Sequence, residues 1–333
     1  MHVKIKNWRC IKEIEFDLSR INIFLGQNAT GKSSLAYALY FFSKSQRLDV
    51  KKTLSMLYDS AKRVVRIENG RSCYPSEISI DNSFFVRIIE EDWFGPKIER
   101  SEKSPWEEEY LLPSTRVAYI QILSTLQKHI SEQISDLTEL AKKFKYEIER
   151  IPLPNTAKTF LSDLDTAINK SQLTIVDNTG YAIEIKLLMP YLMFKVSDKF
   201  IDLKLSPENA PDGQTDQALI DFILSRASEG SLIVIEEPEI YKNPLFQFEM
   251  MDKISKLALD KNLTIIMTTH SEIIPLAIAK LVEEGKLKPD DVRIYYLTRS
   301  KEEPWTKIKK IEVYENGTLE ELPDTEKVMA LLF

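Results

Sequence analysis

The sequence predicts an α/β fold with a mainly parallel core sheet, antiparallel strands ahead of it and a helical insertion. Three observations carry that prediction. Ile21–Leu25, Leu232–Ile235 and Ile265–Thr269 are near-continuous apolar runs, the pattern of strands buried on both faces. Each is followed by a stretch of helical character, and such alternation builds a parallel sheet. Between residues 114 and 150 the period changes to steps of three and four, the spacing of one helical stripe.

Along the chain, Val3–Ile5, Ile11–Phe16 and Ile21–Leu25 read as strands. Gly26–Ser34 reads as a loop, and Leu35–Ser43 as a buried helix. RVVRIENG (63–70) and SFFVRIIEE (83–91) read as further strands, with Asn69 and Gly70 marking a turn. The stripe at Ile120, Leu123, Leu126, Ile130, Ile134, Leu137, Ala141, Phe144 and Ile148 is bracketed by Pro113 and Pro152. Unbroken, it would run roughly 55 Å at ~1.5 Å per residue. It suits either an amphipathic helix or helix pair on the main body, or a short coiled-coil arm. Strands are expected at Leu173–Val176 and Tyr181–Leu188, helices near 245–260 and at Glu272–Glu283. VRIYYLT and IKKIEVYENG complete the strand set.

Composition narrows the function classes. Of 333 residues, 43% are apolar and 29% charged, the balance of a globular protein. Cys10 and Cys73 cannot form a disulfide scaffold. With His2, His129 and His270 they are too few for a Cys/His zinc site. The longest apolar run, Leu35–Phe42, is far short of a membrane span. MHVKIKNWRC has no signal-peptide core. A cytoplasmic protein without a membrane partner is expected. The net charge of −6 argues against a surface that coats nucleic acid all over, while leaving room for a local basic groove.

Gly26-Gln27-Asn28-Ala29-Thr30-Gly31-Lys32-Ser33 fits G-x-x-x-x-G-K-[ST], between an apolar strand and an apolar helix. Glycines let the backbone curl so that successive N–H groups face inward. The helix turns its positive end toward phosphates. Lys32 adds a point charge for β- and γ-phosphates, and the Ser33 hydroxyl can ligate Mg²⁺.

Leu232–Ile235 ends in Glu236-Glu237-Pro238-Glu239, placing acids at the carboxyl end of a buried strand, where ligands sit in open α/β sheets. Glu236 is the candidate Mg²⁺-shell ligand. Glu237 is the candidate that orients or deprotonates an attacking water. His270 ends the next apolar strand on the same sheet edge and is positioned to bond a γ-phosphate or its water.

Taken together, these elements resemble the ABC-type ATPases of the SMC/Rad50/RecF group, and most closely the stand-alone OLD-like AAA ATPases of prokaryotes. The resemblance rests on IKNWRCIKE, GQNATGKSS, LLPSTR (111–116), GSLIVIEEPEIYKNP (230–244), TTHSEII (268–274) and the closing NGTLEELPD. It implies a P-loop NTPase head in which Asn28, Gly31, Lys32, Ser33 and Ser34 bind phosphates and Mg²⁺. Glu236 and Glu237 take the two acid roles, and His270 acts as a switch. Arg9 either reaches the nucleotide or is a solvated turn arginine. A signature loop that completes a partner subunit's site is implied near Gly213, where the usual serine either appears as Asp212 or is displaced to Ser206. An aspartate there would repel a γ-phosphate. Gln121 is the candidate for the Mg²⁺-sensing glutamine. Arg116 is either part of the site or a buried structural ion pair.

Three segments follow from this reading: an N-terminal ATPase lobe (1–112), a helical insertion with connecting strands (113–204), and a C-terminal lobe (205–333). The resemblance implies an ATP- and Mg²⁺-dependent hydrolase that dimerises around ATP and acts on DNA or a separate effector, in genome maintenance or phage defence. The alternative is an ATP-binding scaffold for a nuclease or toxin effector, hydrolysing slowly or not at all. The short stretch after His270 holds no acidic cluster of a metal-dependent nuclease, so a Toprim domain is not expected.

Overall fold

The computed structural model describes residues 1–323 apart from 59, 93–94, 133–138, 140–142, 144–145, 148–149, 171–172, 179–180, 189–190 and 199–201; for residues 173–178, 181–188, 191–195 and 198 it describes backbone alone. The chain divides into two compact units, Met1–Leu111 with Ser228–Phe333, and Leu112–Ala227.

The first unit opens with β1 (His2–Trp8), β2 (Ile11–Asp17) and β3 (Ile21–Gly26). Helix α1 (Lys32–Arg47) and helix α2 (Val50–Tyr58) follow. Next come β4 (Ile67–Glu68), β5 (Arg71–Ser72), β6 (Ser76–Ile80), β7 (Phe84–Asp92), β8 (Gly95–Arg100) and β9 (Glu109–Leu112). An antiparallel sheet of order β2-β1-β6-β7-β8 pairs Val3 with Phe16 on one side and with Ile80 on the other.

Residues Leu35–Phe42 of α1 are buried on every side. A helix apolar all round belongs in a core, and α1 touches β6 and β7 of this sheet as well as β3 and its neighbours in a second one. Basic residues close the helix, where its dipole favours them. Lys44 lies 3.3 Å from Glu109, a buried carboxylate that Arg47 also bonds.

In the second unit, α3 (Arg116–Ser131), α4 (Asn155–Ile168), the sheet β10 (Leu173–Asn178), β11 (Tyr181–Leu188), β12 (Tyr191–Asp198), β13 (Leu203–Leu205), and α5 (Asp212–Arg226) form one body. Helix α5 contacts both other helices and packs on β10 and β11. Arg116 resolves as a buried ion pair: its Nε lies 2.6 Å from Asp216 Oδ1, its Nη2 donates to Oδ2 at 2.8 Å, and its Nη1 donates to Pro113 O at 2.9 Å. Arg116 and Asp216 are 0% and 1% exposed at the side chain, so the pair is a buried one.

The chain then returns to the first unit with β14 (Leu232–Glu236), α6 (Pro244–Asp260), β15 (Thr264–Thr269), α7 (Ile273–Glu283), β16 (Val292–Thr298) and β17 (Lys307–Ile311). Asn243 caps α6 by accepting from Phe246 N at 2.9 Å, with Pro244 at the first helical position. The second sheet has the order β17-β16-β3-β15-β14-β9. Strands β16, β3, β15 and β14 run parallel, and β17 is antiparallel to β16. This is the mainly parallel α/β core that the apolar runs predict. Strand β3, which leads into the glycine loop, lies between β15 and β16.

Several elements differ from their sequence expectation. Helix α1 begins at Lys32 rather than Leu35, with Gly31 as its N-cap in the left-handed conformation. Within RVVRIENG only Ile67–Glu68 is strand. Val64 and Val65 instead pack by the β1–β2 turn, where Arg9 N donates to Val64 O at 2.6 Å. Strands β5, β6, β8, β9, β12 and β13 and helices α2 and α4 escaped the sequence reading. The helical stripe holds as α3 up to Ser131, and most of its remainder lies outside the described residues. Among the described residues no helix is long and apolar enough to cross a membrane.

Replacing Arg116 by Ala would remove the buried guanidinium that pairs with the Asp216 carboxylate. A loss of about 3–5 kcal/mol in unfolding free energy is expected, read by denaturant titration. A midpoint unchanged from the parent protein would show that the pair carries no such weight.

Candidate active site

The loop between β3 and α1 is shaped at both glycines by lack of room. Gly26 has φ +145°, and a Cβ there would lie 2.4 Å from the Leu297 carbonyl oxygen of β16. Gly31 has φ +105°, and its Cβ would meet Thr306 Oγ1 at 2.3 Å and Cys10 Sγ at 2.9 Å. Thr306 fastens the same place. Its N–H donates to Cys10 O and its hydroxyl to Thr30 O, each at 2.9 Å. Thr30 Oγ1 in turn donates to Gln27 O at 2.9 Å.

Lys32 is buried, and its Nζ donates to Gly26 O at 2.7 Å and Gln27 O at 2.9 Å. The ammonium is thereby held against the loop. Burial lowers its pKa to about 8, opposed by the carboxylates of Glu237, Glu239 and Glu236.

A cavity of about 850 Å³ opens on this loop, lined by Asn28–Ser34, Glu237 and His270 among others. That volume falls in the range of ligand sites. Glu237 is in the left-handed region (φ 44°), and its N–H donates to Thr268 O of β15 at 2.8 Å. Its Oε1 stands 3.8 Å from His270 Nε2. Backbone N–H of His270 donates to Glu239 Oε1 at 2.8 Å, which fixes the strand end carrying the imidazole. Burial, aided by the Lys32 charge and opposed by Glu239, lowers the His270 pKa. The ring is therefore mainly neutral at pH 7.

The two adjacent acids part company. Glu236, still in β14, is buried and accepts a hydrogen bond from Tyr37 Oη of α1 at 2.5 Å. It is not among the residues lining the cavity, whereas Glu237 is. Gly26 and Gln27 also lie off that cavity; with His270 they line a neighbouring depression of about 170 Å³. Arg9 does line the large cavity, in a left-handed turn with its guanidinium 5.6 Å from the Tyr58 ring centre. Gly213 lies in the other unit, in the first turn of α5. Its neighbour Asp212 accepts from Gln121 Nε2 at 2.8 Å, which accounts for both polar side chains that the sequence singles out there.

The sequence reading missed several residues of the cavity: Cys10, Lys62, Arg63, Arg299 and Trp305. It also missed Tyr37 and Thr306, which position the site from behind. Only Cys10 carried a signal, by adjoining Arg9. The others reach the site through long-range contacts that no local spacing reports.

The Ser33 hydroxyl on the cavity and the Glu236 carboxylate behind it are hard donors of the kind Mg²⁺ prefers. Among the described residues no group of three or more His, Cys, Asp or Glu side chains could hold a metal ion by itself. Any such ion would thus need phosphate and water oxygens to complete its shell.

Comparison with known proteins agrees with this geometry. No curated protein matches the chain. Among solved structures, an Smc head bound to the C-terminal winged-helix domain of ScpA superposes with TM-score 0.54 at 10% identity, covering 99% of this chain and 98% of that one. The Smc head domain with an extended coiled coil bound to the C-terminal domain of ScpA, from Pyrococcus furiosus, gives 0.51 at 11% identity, with the same coverage. These likenesses establish the fold, that of an SMC-type P-loop head. A family model described as AAA ATPase domain matches residues 1–171 and 97–274. By that match, over well more than half its length, the chain belongs to the AAA ATPase domain family.

Proposed function

We propose that this protein binds ATP with Mg²⁺ in the cavity on the Gly26–Ser33 loop and hydrolyses it as a switch. The observation that carries the reading is one shared cavity wall bearing Lys32, Glu237 and His270 beside the glycine loop. The N–H groups opening α1 and the Lys32 ammonium hold the phosphate chain. Ser33 and Glu236 give the protein's share of the Mg²⁺ shell, with Tyr37 orienting the Glu236 carboxylate. Bound Mg²⁺ would offset the charge that develops on the phosphoryl oxygens. Glu237 positions or deprotonates the attacking water, and neutral His270 bonds the γ-phosphate or that water.

Beyond the single chain, we read the protein as an ATP-dependent homodimer, with the loop at Gly213 of one copy completing the site of the other. Its relatives in this reading are the stand-alone OLD-like ATPases. Its output goes to DNA or to a separately encoded effector in the cytoplasm, and rests on analogy. A second reading, a slowly hydrolysing ATP-binding scaffold, is favoured by Asp212 at the place of the signature serine.

Lys32→Ala should abolish ATP binding in calorimetric titration; tight binding by that variant would remove the cavity as the nucleotide site. Glu237→Gln should bind ATP, lose at least about 100-fold in turnover, a general-base-sized effect, and accumulate a dimer on gel filtration with ATP and Mg²⁺. A strictly monomeric Glu237→Gln protein would count against the ATP-bridged dimer. Parent turnover no faster than that of Glu237→Gln would establish the scaffold reading instead. Chelation of Mg²⁺ should stop phosphate release, and undiminished release would remove the metal from the mechanism.

A further inference from the structure

The cavity holds more than a phosphate cradle. Val65, Ile67, Pro304 and Trp305 also line it, and phosphates have no use for an apolar wall. These residues come from two distant segments that meet at one point. Arg66, between Val65 and Ile67, places its guanidinium 4.6 Å from the centre of the Trp305 ring.

Both segments are anchored. Arg66 is 5% exposed, its Nε donates to Asn7 Oδ1 at 3.0 Å, and its Nη1 lies 2.7 Å from Glu68. The hairpin carrying Trp305 is tied to the phosphate loop by the next residue, Thr306, through Thr30 O and Cys10 O. Arg299, on the same hairpin, donates to Ala29 O at 3.5 Å and to Pro304 O at 2.5 Å. The indole is thus a ring locked on one face by a fixed cation, half-buried, and bordering the cavity beside the loop.

We propose that Trp305, with Val65 and Ile67, is the seat of the nucleobase, so that the ligand is recognised as a nucleoside triphosphate and not as a phosphate chain alone. This deepens the nucleotide reading above and rests on it. A planar base stacks on an indole whatever its edge pattern, and a ring already held in place loses little freedom when it does so. Phosphates on the loop and a base on Trp305 would use both chemical characters of one cavity. Trp305 is a binding and specificity residue here, with no part in the chemistry.

The test is calorimetric titration of ATP and of inorganic tripolyphosphate, both with Mg²⁺, into the parent protein, Trp305→Ala and Trp305→Phe. Trp305→Ala should weaken ATP roughly tenfold, the scale of one lost base stack, and leave tripolyphosphate unchanged. Trp305→Phe should stay within about threefold of the parent for ATP, since a ring remains. Equal ATP affinity in parent and Trp305→Ala would overturn the assignment while sparing the nucleotide reading. Parallel loss of both ligands would also overturn it, marking Trp305 as a prop for the loop. A parent protein that binds neither ligand would bring down the nucleotide reading and this assignment together.

Discussion

Everything in the site depends on how closely the backbone of β16 and its hairpin presses on the glycine loop. A side chain at Gly26 would run into the Leu297 carbonyl, and one at Gly31 into Thr306 and Cys10. The first of these obstacles is backbone and cannot swing aside. The loop therefore owes its shape to its own glycines and to a segment near the other end of the sequence. Lys32 inherits its place from this arrangement, since its ammonium is held by the carbonyls of Gly26 and Gln27.

The acidic strand end shows how a small backbone event separates two like residues. Along a strand successive side chains face opposite ways. Glu236 obeys this and turns to Tyr37 of the core helix. Glu237 leaves the strand in a left-handed conformation, at a cost of order 1–3 kcal/mol for a residue with a Cβ, and joins the cavity wall with His270. One carboxylate is held by Tyr37 behind the cavity and the other borders the solvent-facing space. Glu239, two residues on, holds the backbone of His270. The run of acids is thus a graded set: one behind the cavity, one on it, and one bracing its neighbour.

The fold was legible wherever burial imposed a period. The three apolar runs became β3, β14 and β15, and the strands and helices after Ser231 appeared within a few residues of their expected ends, except that the strand expected through IKKIEVYENG stops at Ile311. The phosphate loop and the two acids were legible because their residue types sit in an unbroken local pattern. What escaped was set by distant partners. SEISI has too few residues to show its alternation, yet Ile78 is buried by pairing with Ile5. Trp305 lies in a polar loop and gains meaning only from Arg66. Arg116 looked equally suited to a site and to a core, and a bidentate partner 100 positions away decided for the core.

The position of β3 in its sheet has a consequence for how the protein is made. Its hydrogen-bonding neighbours are β15 and β16, and they leave the ribosome only after residue 263 and residue 291, respectively. Until then the strand that leads to the phosphate loop has neither flank, and the loop lacks the carbonyl wall at Leu297. Such sequence-distant pairing is slow to form because the intervening chain must close first. During synthesis the nascent chain thus carries the buried helix α1 without a finished cover, and nucleotide capture has to be one of the last abilities it acquires.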